Sequence, residues 1–132
     1  MGVLGLAEIT LQTSELDALE WFYREVIGLP VLQRQEDRVW LEAGPKGRIG
    51  LWTPGEKEFD DRAGAHVHFA LAVRPAALDQ MAVRLDVAGA DHEGPVAHDG
   101  GDRSLYWTDP AGHRGEAWEL FADGGSTADV AD

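Results

Sequence analysis

The sequence has no cysteine in 132 residues, only 11 basic residues against 24 acidic ones, and no long apolar run. Without cysteine there is no disulfide framework, no thiolate zinc site and no cysteine nucleophile, so any metal must be held by histidine and carboxylate. The shortage of basic residues leaves a formal charge of −13, which repels nucleic acid and anionic membranes. Such acidity most simply serves solubility, and it favours neutral or cationic partners. No apolar stretch approaches the roughly 20 residues needed to span a bilayer, and the N-terminus lacks a basic region followed by an apolar one. The expectation is a soluble, cytoplasmic protein, long enough to bury a core as one domain.

What is present is a pattern that occurs twice. In "ITLQTSELDALEWFYREVIGLPV" a strand-like opening meets Ser14, a candidate N-cap, after which Leu16, Leu19, Phe22, Val26 and Ile27 fall at helical spacing and Gly28 ends the helix. In "HVHFALAVRPAALDQMAVRLDVAGADH" a second strand-like run meets Pro75, suited to a first helical turn. Leu78, Met81, Ala82 and Leu85 then repeat the stripe, and Gly89 ends it. Each helix is followed by about three strand signals, and "DRVWLEAGPKGRIGLW" parallels "DRSLYWTDPAGHRGEAW". Internal duplication explains this economically. The reading is an α+β domain over residues 1–122, built of modules 4–54 and 65–121, with a polar connector at 55–64 and a frayed tail at 123–132.

Three stretches in this order resemble the vicinal oxygen chelate superfamily, which includes glyoxalase I, bleomycin-resistance proteins, fosfomycin-resistance enzymes and extradiol dioxygenases. They are "EITLQTSELDALEWFYREVIGLPV", "HFALAVRPAALD" and "RSLYWTDPAGHRGEAWEL". The resemblance implies two βαβββ modules whose curled mixed sheets surround a cavity, often across a homodimer, with divalent-metal ligands on the inner face. Matched residue by residue, it places those ligands at Glu8, His68 and Glu116. A fourth ligand, used by glyoxalases, would fall on Gly50 or Leu51, neither of which binds metal, so glyoxalase I activity does not fit.

Strand alternation gives an independent reading of the same residues. It puts Glu8, Thr10 and Gln12 on one face, His66, His68 and Ala70 on another, and Glu116 with Trp118 on a third. Ionised carboxylates sharing a cavity call for a cation or strong donors. One histidine and two carboxylates would suit Mn²⁺, Fe²⁺, Ni²⁺ or Zn²⁺ with positions open to a substrate oxygen. His66 in place of Glu8 would give a two-histidine, one-carboxylate set, although two residues apart on a strand is a long reach to one ion. Against these stand plain structural roles: Glu8 pairing with an arginine, His68 a hydrogen-bonded histidine, and Glu116 a partner of Arg114 or Arg103. His92, His98 and His113 read as loop or turn residues outside the chemistry. Of five tryptophans, Trp21 and Trp107 read as core, whereas Trp118, with Tyr106 and with Trp40 or Trp52, could wall a site for an aromatic or cationic ligand.

Two functions of different class follow. The first is a metal-dependent lyase, isomerase or dioxygenase acting on a small oxygenated or aromatic metabolite. Glu8, His68 and Glu116 would be ligands, Tyr106 or His66 the proton donor or acceptor, and Gln12 and the tryptophans would face the ligand. The second is a non-catalytic protein that sequesters an antibiotic or other aromatic natural product. A ligand-responsive module with neither activity is the plain remainder.

Overall fold

In the computed structural model of the chain, residues 6–53 and 68–119 are described. His66, the connector and the tail lie outside them. The first module runs β1 (Glu8–Gln12), α1 (Leu16–Trp21), a π-helical segment (Phe22–Ile27), β2 (Val31–Arg34), β3 (Arg38–Glu42) and β4 (Arg48–Trp52). The second runs β5 (His68–Ala72), α2 (Pro75–Val87), β6 (His92–Ala97), β7 (Arg103–Thr108) and β8 (Arg114–Trp118). Each module is thus the expected βαβββ unit.

The two sheets have the same order, β1-β4-β3-β2 and β5-β8-β7-β6, each with its first and last strands parallel and the rest antiparallel. The registers match as well. Glu8 lies opposite Arg48 and Thr10 opposite Gly50, as His68 lies opposite Arg114 and Ala70 opposite Glu116. Gly50 pairs with Trp40 on its other side where Glu116 pairs with Tyr106. This settles the one-residue ambiguity of the sequence: the first-module counterpart of Glu116 is Gly50.

Alternation sorts each sheet into a core face and an open face. Leu11, Val39, Leu41, Ile49 and Leu51 of the first sheet and Leu105, Trp107 and Ala117 of the second are buried in one continuous core with residues of both helical regions. The second sheet makes room for its largest side chain with a glycine. A Cβ on Gly115 would lie 2.3 Å from the Trp107 ring, so that strand position must lack a side chain.

The modules meet along their helical sides. The π-helical segment packs on α2, and no strand of one sheet is hydrogen-bonded to a strand of the other among the described residues. At the centre of this seam the buried Tyr23 hydroxyl donates to Asp109 Oδ2 at 2.8 Å, and Trp107 Nε1 approaches the same hydroxyl at 3.4 Å. Burial, and then the Asp109 charge, push the Tyr23 phenol well above its ordinary pKa, which keeps it a donor. Asp109 also accepts from the His113 and Ala111 amides and pairs with the His113 ring. Phe69 completes the cluster against Tyr23 and Trp107.

Three local expectations need correction. The first helix is not uniform: it widens to π geometry after Trp21, and the Gly28 and Leu29 amides both bond the Tyr23 carbonyl before Gly28 turns the chain at φ 94°. Ser14 does not cap it. Thr13 Oγ1 instead accepts from the Glu15 amide, and no side chain caps the helix start. Trp21 is not a core residue but is 48% exposed, while its neighbours Phe22 and Tyr23 are buried. Trp107 is fully buried, as expected. The buried carboxylate on this helix, Glu20, is held by Arg34 of β2 and by Arg24, which together keep it ionised below its usual range against the opposing effect of burial.

Because Tyr23 carries a buried polar link between the modules, Tyr23→Phe should destabilise the protein by about 1–3 kcal/mol. A urea midpoint shift at unchanged slope measures this.

Candidate functional site

The open face of the first sheet is a three-by-three grid set by the strand registers. Glu8, Thr10 and Gln12 stand on β1, Arg48, Gly50 and Trp52 on β4, and Glu42, Trp40 and Arg38 on β3. On the second sheet the same positions hold His68, Ala70 and Ala72, then Arg114, Glu116 and Trp118, then Thr108, Tyr106 and Ser104. One grid centres on a glycine and the other on a carboxylate.

In the second grid Glu116 is 6% exposed, and its two oxygens have different partners. Ser104 donates to Oε2 at 2.8 Å, while Oε1 faces His68 Nε2 at 3.6 Å. Neither Arg114 nor Arg103 takes Glu116 as a partner. Arg114 binds Glu93 at 2.7 Å and covers the Tyr106 ring at 5.0 Å, and Arg103 binds Glu119 and Asp79. Ser104 is itself buried and lies 2.8 Å from His98 Nε2. His98 packs edgewise on Trp118, whose indole donates to Asp102 at 2.7 Å.

The chain His98–Ser104–Glu116–His68 brings into the site a histidine that the sequence reading sets aside. The signal was present: "AHDGGDRS" joins two strands through Gly-Gly, and a tight hairpin returns flanking residues to one another. His98 and Asp102 close that hairpin, and Ser104 follows on the returning strand. His92 and His113 remain outside, bonded to the Ala90 carbonyl and to Asp109.

In the first grid Glu8 is committed elsewhere. Arg48 Nε donates to Oε1 at 2.6 Å, and Thr10 Oγ1 to Oε2 at 2.9 Å. Partial burial raises the Glu8 pKa, but Arg48, Thr10 and the nearby Trp40 indole outweigh it and hold the carboxyl below its usual range. Arg48 covers the Trp40 ring at 5.1 Å and Arg38 the Trp52 ring at 4.4 Å. One face of each of these indoles is therefore occupied by a guanidinium. Gln12 sits at the corner of the grid, opposite Trp52.

The structure thus brings His68 and Glu116 together and places Tyr106 and Trp118 beside them. It sets Glu8, Gln12, Trp40 and Trp52 on the other sheet. Among the described residues of one chain, no three histidine or carboxylate side chains are grouped to hold an ion. His66 lies outside the described residues.

The glyoxalase-like domain family model matches residues 8–117, so the chain belongs to that family, within the vicinal oxygen chelate superfamily. A lactoylglutathione lyase from Agrobacterium tumefaciens is 25% identical, covers 89% of this chain and 95% of its own, and superposes with a TM-score of 0.72. A glyoxalase/dioxygenase from Nostoc punctiforme is 18% identical over 89% and 91%, with a TM-score of 0.72. A glyoxalase/bleomycin resistance protein/dioxygenase from Nocardioides is 22% identical over 89% and 84%, with a TM-score of 0.64. The βαβββ pair with two unclosed mixed sheets is this family's fold. No helix among the described residues is long and apolar enough to cross a membrane.

The depressed Glu8 pKa makes the Arg48 pair pH-dependent. Its contribution is present above the ordinary carboxylate pKa and is lost as pH falls through the lower native value. Glu8→Gln should therefore lower stability at neutral pH and make no difference at strongly acidic pH, as read from denaturation midpoints of both proteins across the acid range.

Proposed function

We propose that this protein is a divalent-metal-dependent enzyme of lyase, isomerase or dioxygenase type, acting on a small oxygenated or aromatic metabolite. The observation that carries this reading is the His68–Glu116 pair. A buried carboxylate keeps one oxygen on Ser104 and turns the other to an imidazole nitrogen 3.6 Å away on an open sheet face. Imidazole and carboxylate suit Mn²⁺, Fe²⁺, Ni²⁺ or Zn²⁺. The donor set fits such an ion in type, and when bound it would polarise a ligand oxygen. Ser104 fixes which carboxylate oxygen is presented. Tyr106, beside Glu116 in register, is the proton donor or acceptor in this reading. His66 is the other candidate for that role.

A third protein donor in this reading is Glu8 or His66, and Glu8 stands on the other open face, so its use would call for a homodimer. Glu8 of a second copy could face His68 and Glu116, provided it gives up Arg48. The ligand is a small molecule rather than nucleic acid or membrane, consistent with the charge of −13, and the cytoplasm is the proposed location. The lyase and dioxygenase named among the structural neighbours support the enzymatic class.

A second reading, non-catalytic sequestration of an antibiotic or other aromatic natural product, is favoured by the pairing of Glu8 with Arg48 and by Gly50 at the fourth ligand position. One structural neighbour carries bleomycin resistance protein among the alternatives in its name, which keeps this class within the family's range.

Elemental mass spectrometry of the purified protein, reconstituted with each ion and desalted, separates the two readings. The enzymatic reading expects stoichiometric metal that is lost on desalting in His68→Ala and in Glu116→Gln, and an affinity about 10–100-fold weaker in Ser104→Ala, which removes the outer partner of Glu116. Wild-type protein that retains no ion from any reconstitution would overturn the enzymatic reading. Loss of metal in Glu8→Gln would make Glu8 the third ligand.

A further inference from the structure

Ser104 is completely buried in the second sheet, and its hydroxyl meets two partners, Glu116 Oε2 at 2.8 Å and His98 Nε2 at 2.8 Å. A serine hydroxyl has one hydrogen and two lone pairs, so it donates to one partner and must accept from the other. A carboxylate that holds an ion is deprotonated, and in that form it only accepts. The serine hydrogen therefore belongs to Glu116. What remains for His98 is a lone pair, and an imidazole nitrogen at that distance from a lone pair must carry hydrogen. Were Nε2 bare, one hydrogen would serve two acceptors, and one of them would stay unpaired in the interior at a cost in free energy.

The surrounding chain holds the imidazole in place. Three residues join β2 to β3, 35–37, whereas five join β6 to β7, 98–102, and His98 opens this longer hairpin. Its amide donates to the Asp102 carbonyl at 2.8 Å, and the Gly101 amide donates to the His98 carbonyl at 3.0 Å, with Gly101 turning the chain at φ 93°. The Asp102 carboxylate accepts from the Trp118 indole at 2.7 Å, and the His98 ring meets Trp118 edgewise at 6.0 Å. One aspartate thus fixes both the backbone of His98 and the ring against which it packs. The first sheet holds Arg38 at the position of Ser104 and Gly50 at that of Glu116, so the longer hairpin accompanies the carboxylate.

We propose that His98 is a positioning residue for Glu116. Its Nε2–H donates to Ser104 Oγ, which commits the serine's one hydrogen to Oε2 and leaves Oε1 turned to His68. Hydrogen bonds in series strengthen one another, so this donation makes Ser104 a firmer donor to the carboxylate. His98 itself touches neither ion nor ligand and acts only through the serine. The effect on ion affinity rests on the metal reading proposed above, whereas the direction of the hydrogen bonds is measurable without metal.

The test uses the full-length protein, first without metal and then with it. In long-range ¹H–¹⁵N spectra, with His98 assigned from His98→Gln, the ring should carry hydrogen on Nε2. That hydrogen should give a resolved signal that disappears in Ser104→Ala, since an imidazole N–H open to water exchanges too quickly to be seen. Metal affinity, read by competition with a chelator, should fall about three- to tenfold in His98→Phe, which keeps a ring against Trp118 but has no donor. In His98→Gln, whose amide nitrogen donates from nearly the same place, affinity should stay within about twofold of wild type. The His98→Phe loss should vanish in a Ser104→Ala background, because it passes through that hydroxyl. Hydrogen on Nδ1 alone, an Nε2–H signal indifferent to Ser104→Ala, unchanged affinity in His98→Phe, or a loss additive with that of Ser104→Ala would each overturn the role. Should His98→Phe fail to fold, the spectra of wild type and Ser104→Ala decide. A Ser104-dependent Nε2–H signal in wild-type protein that retains no ion would uphold the positioning role and overturn the metal reading alone.

Discussion

The buried contact between Tyr23 and Asp109 sets the geometry on which the rest of the molecule depends. It joins the helical side of the first module to the turn before the last strand of the second, beneath Trp107 and Phe69. Neither partner could be buried alone at low cost. A lone carboxylate in the core would be strongly penalised, whereas here His113, two backbone amides and the Tyr23 hydroxyl share its charge. Because the seam uses the helical sides, the sheets turn their polar grids away from the shared core. Two open faces in one chain are the direct result.

Those faces have parted chemically while keeping their frame. Strand order, parallel pairing and register agree position for position. Only the side chains differ: Glu8 against His68, Gly50 against Glu116, Trp40 against Tyr106. Backbone hydrogen bonding fixes where a side chain stands, and the open face does not constrain which residue stands there. The second face became a histidine–carboxylate surface, and the first an arginine, indole and glutamate surface.

The sequence made the frame legible because both of its signals are periodic. Helical spacing locates the two helical regions, and alternation sorts Glu8 and Thr10 from Ile9 and Leu11. Matched halves also placed Gly50 within one residue of its true position. What stayed hidden depends on distance across the chain or on departures from ideal geometry. Alternation shows which way Glu8 points, but not that Arg48, paired across the strand, will claim it. Trp21 reads as core from its size and its place on an amphipathic helix, although it falls outside the apolar stripe, and it is the stripe that is buried. His98 joined the site through the path of a hairpin, information carried by the turn and not by the period.

One contact shows how far the duplicated halves have grown together. Arg84 of α2 reaches across the seam, its Nε donating to the Val26 carbonyl at 2.8 Å and its Nη2 to that of Ile27 at 3.3 Å. These carbonyls end the π-helical segment, where the helix has exhausted its own donors. The closure of the first half is thus supplied by a guanidinium encoded in the second. Cut apart, the amino-terminal unit would leave the Val26 and Ile27 carbonyls without this guanidinium, so the two halves of the repeat depend on one another.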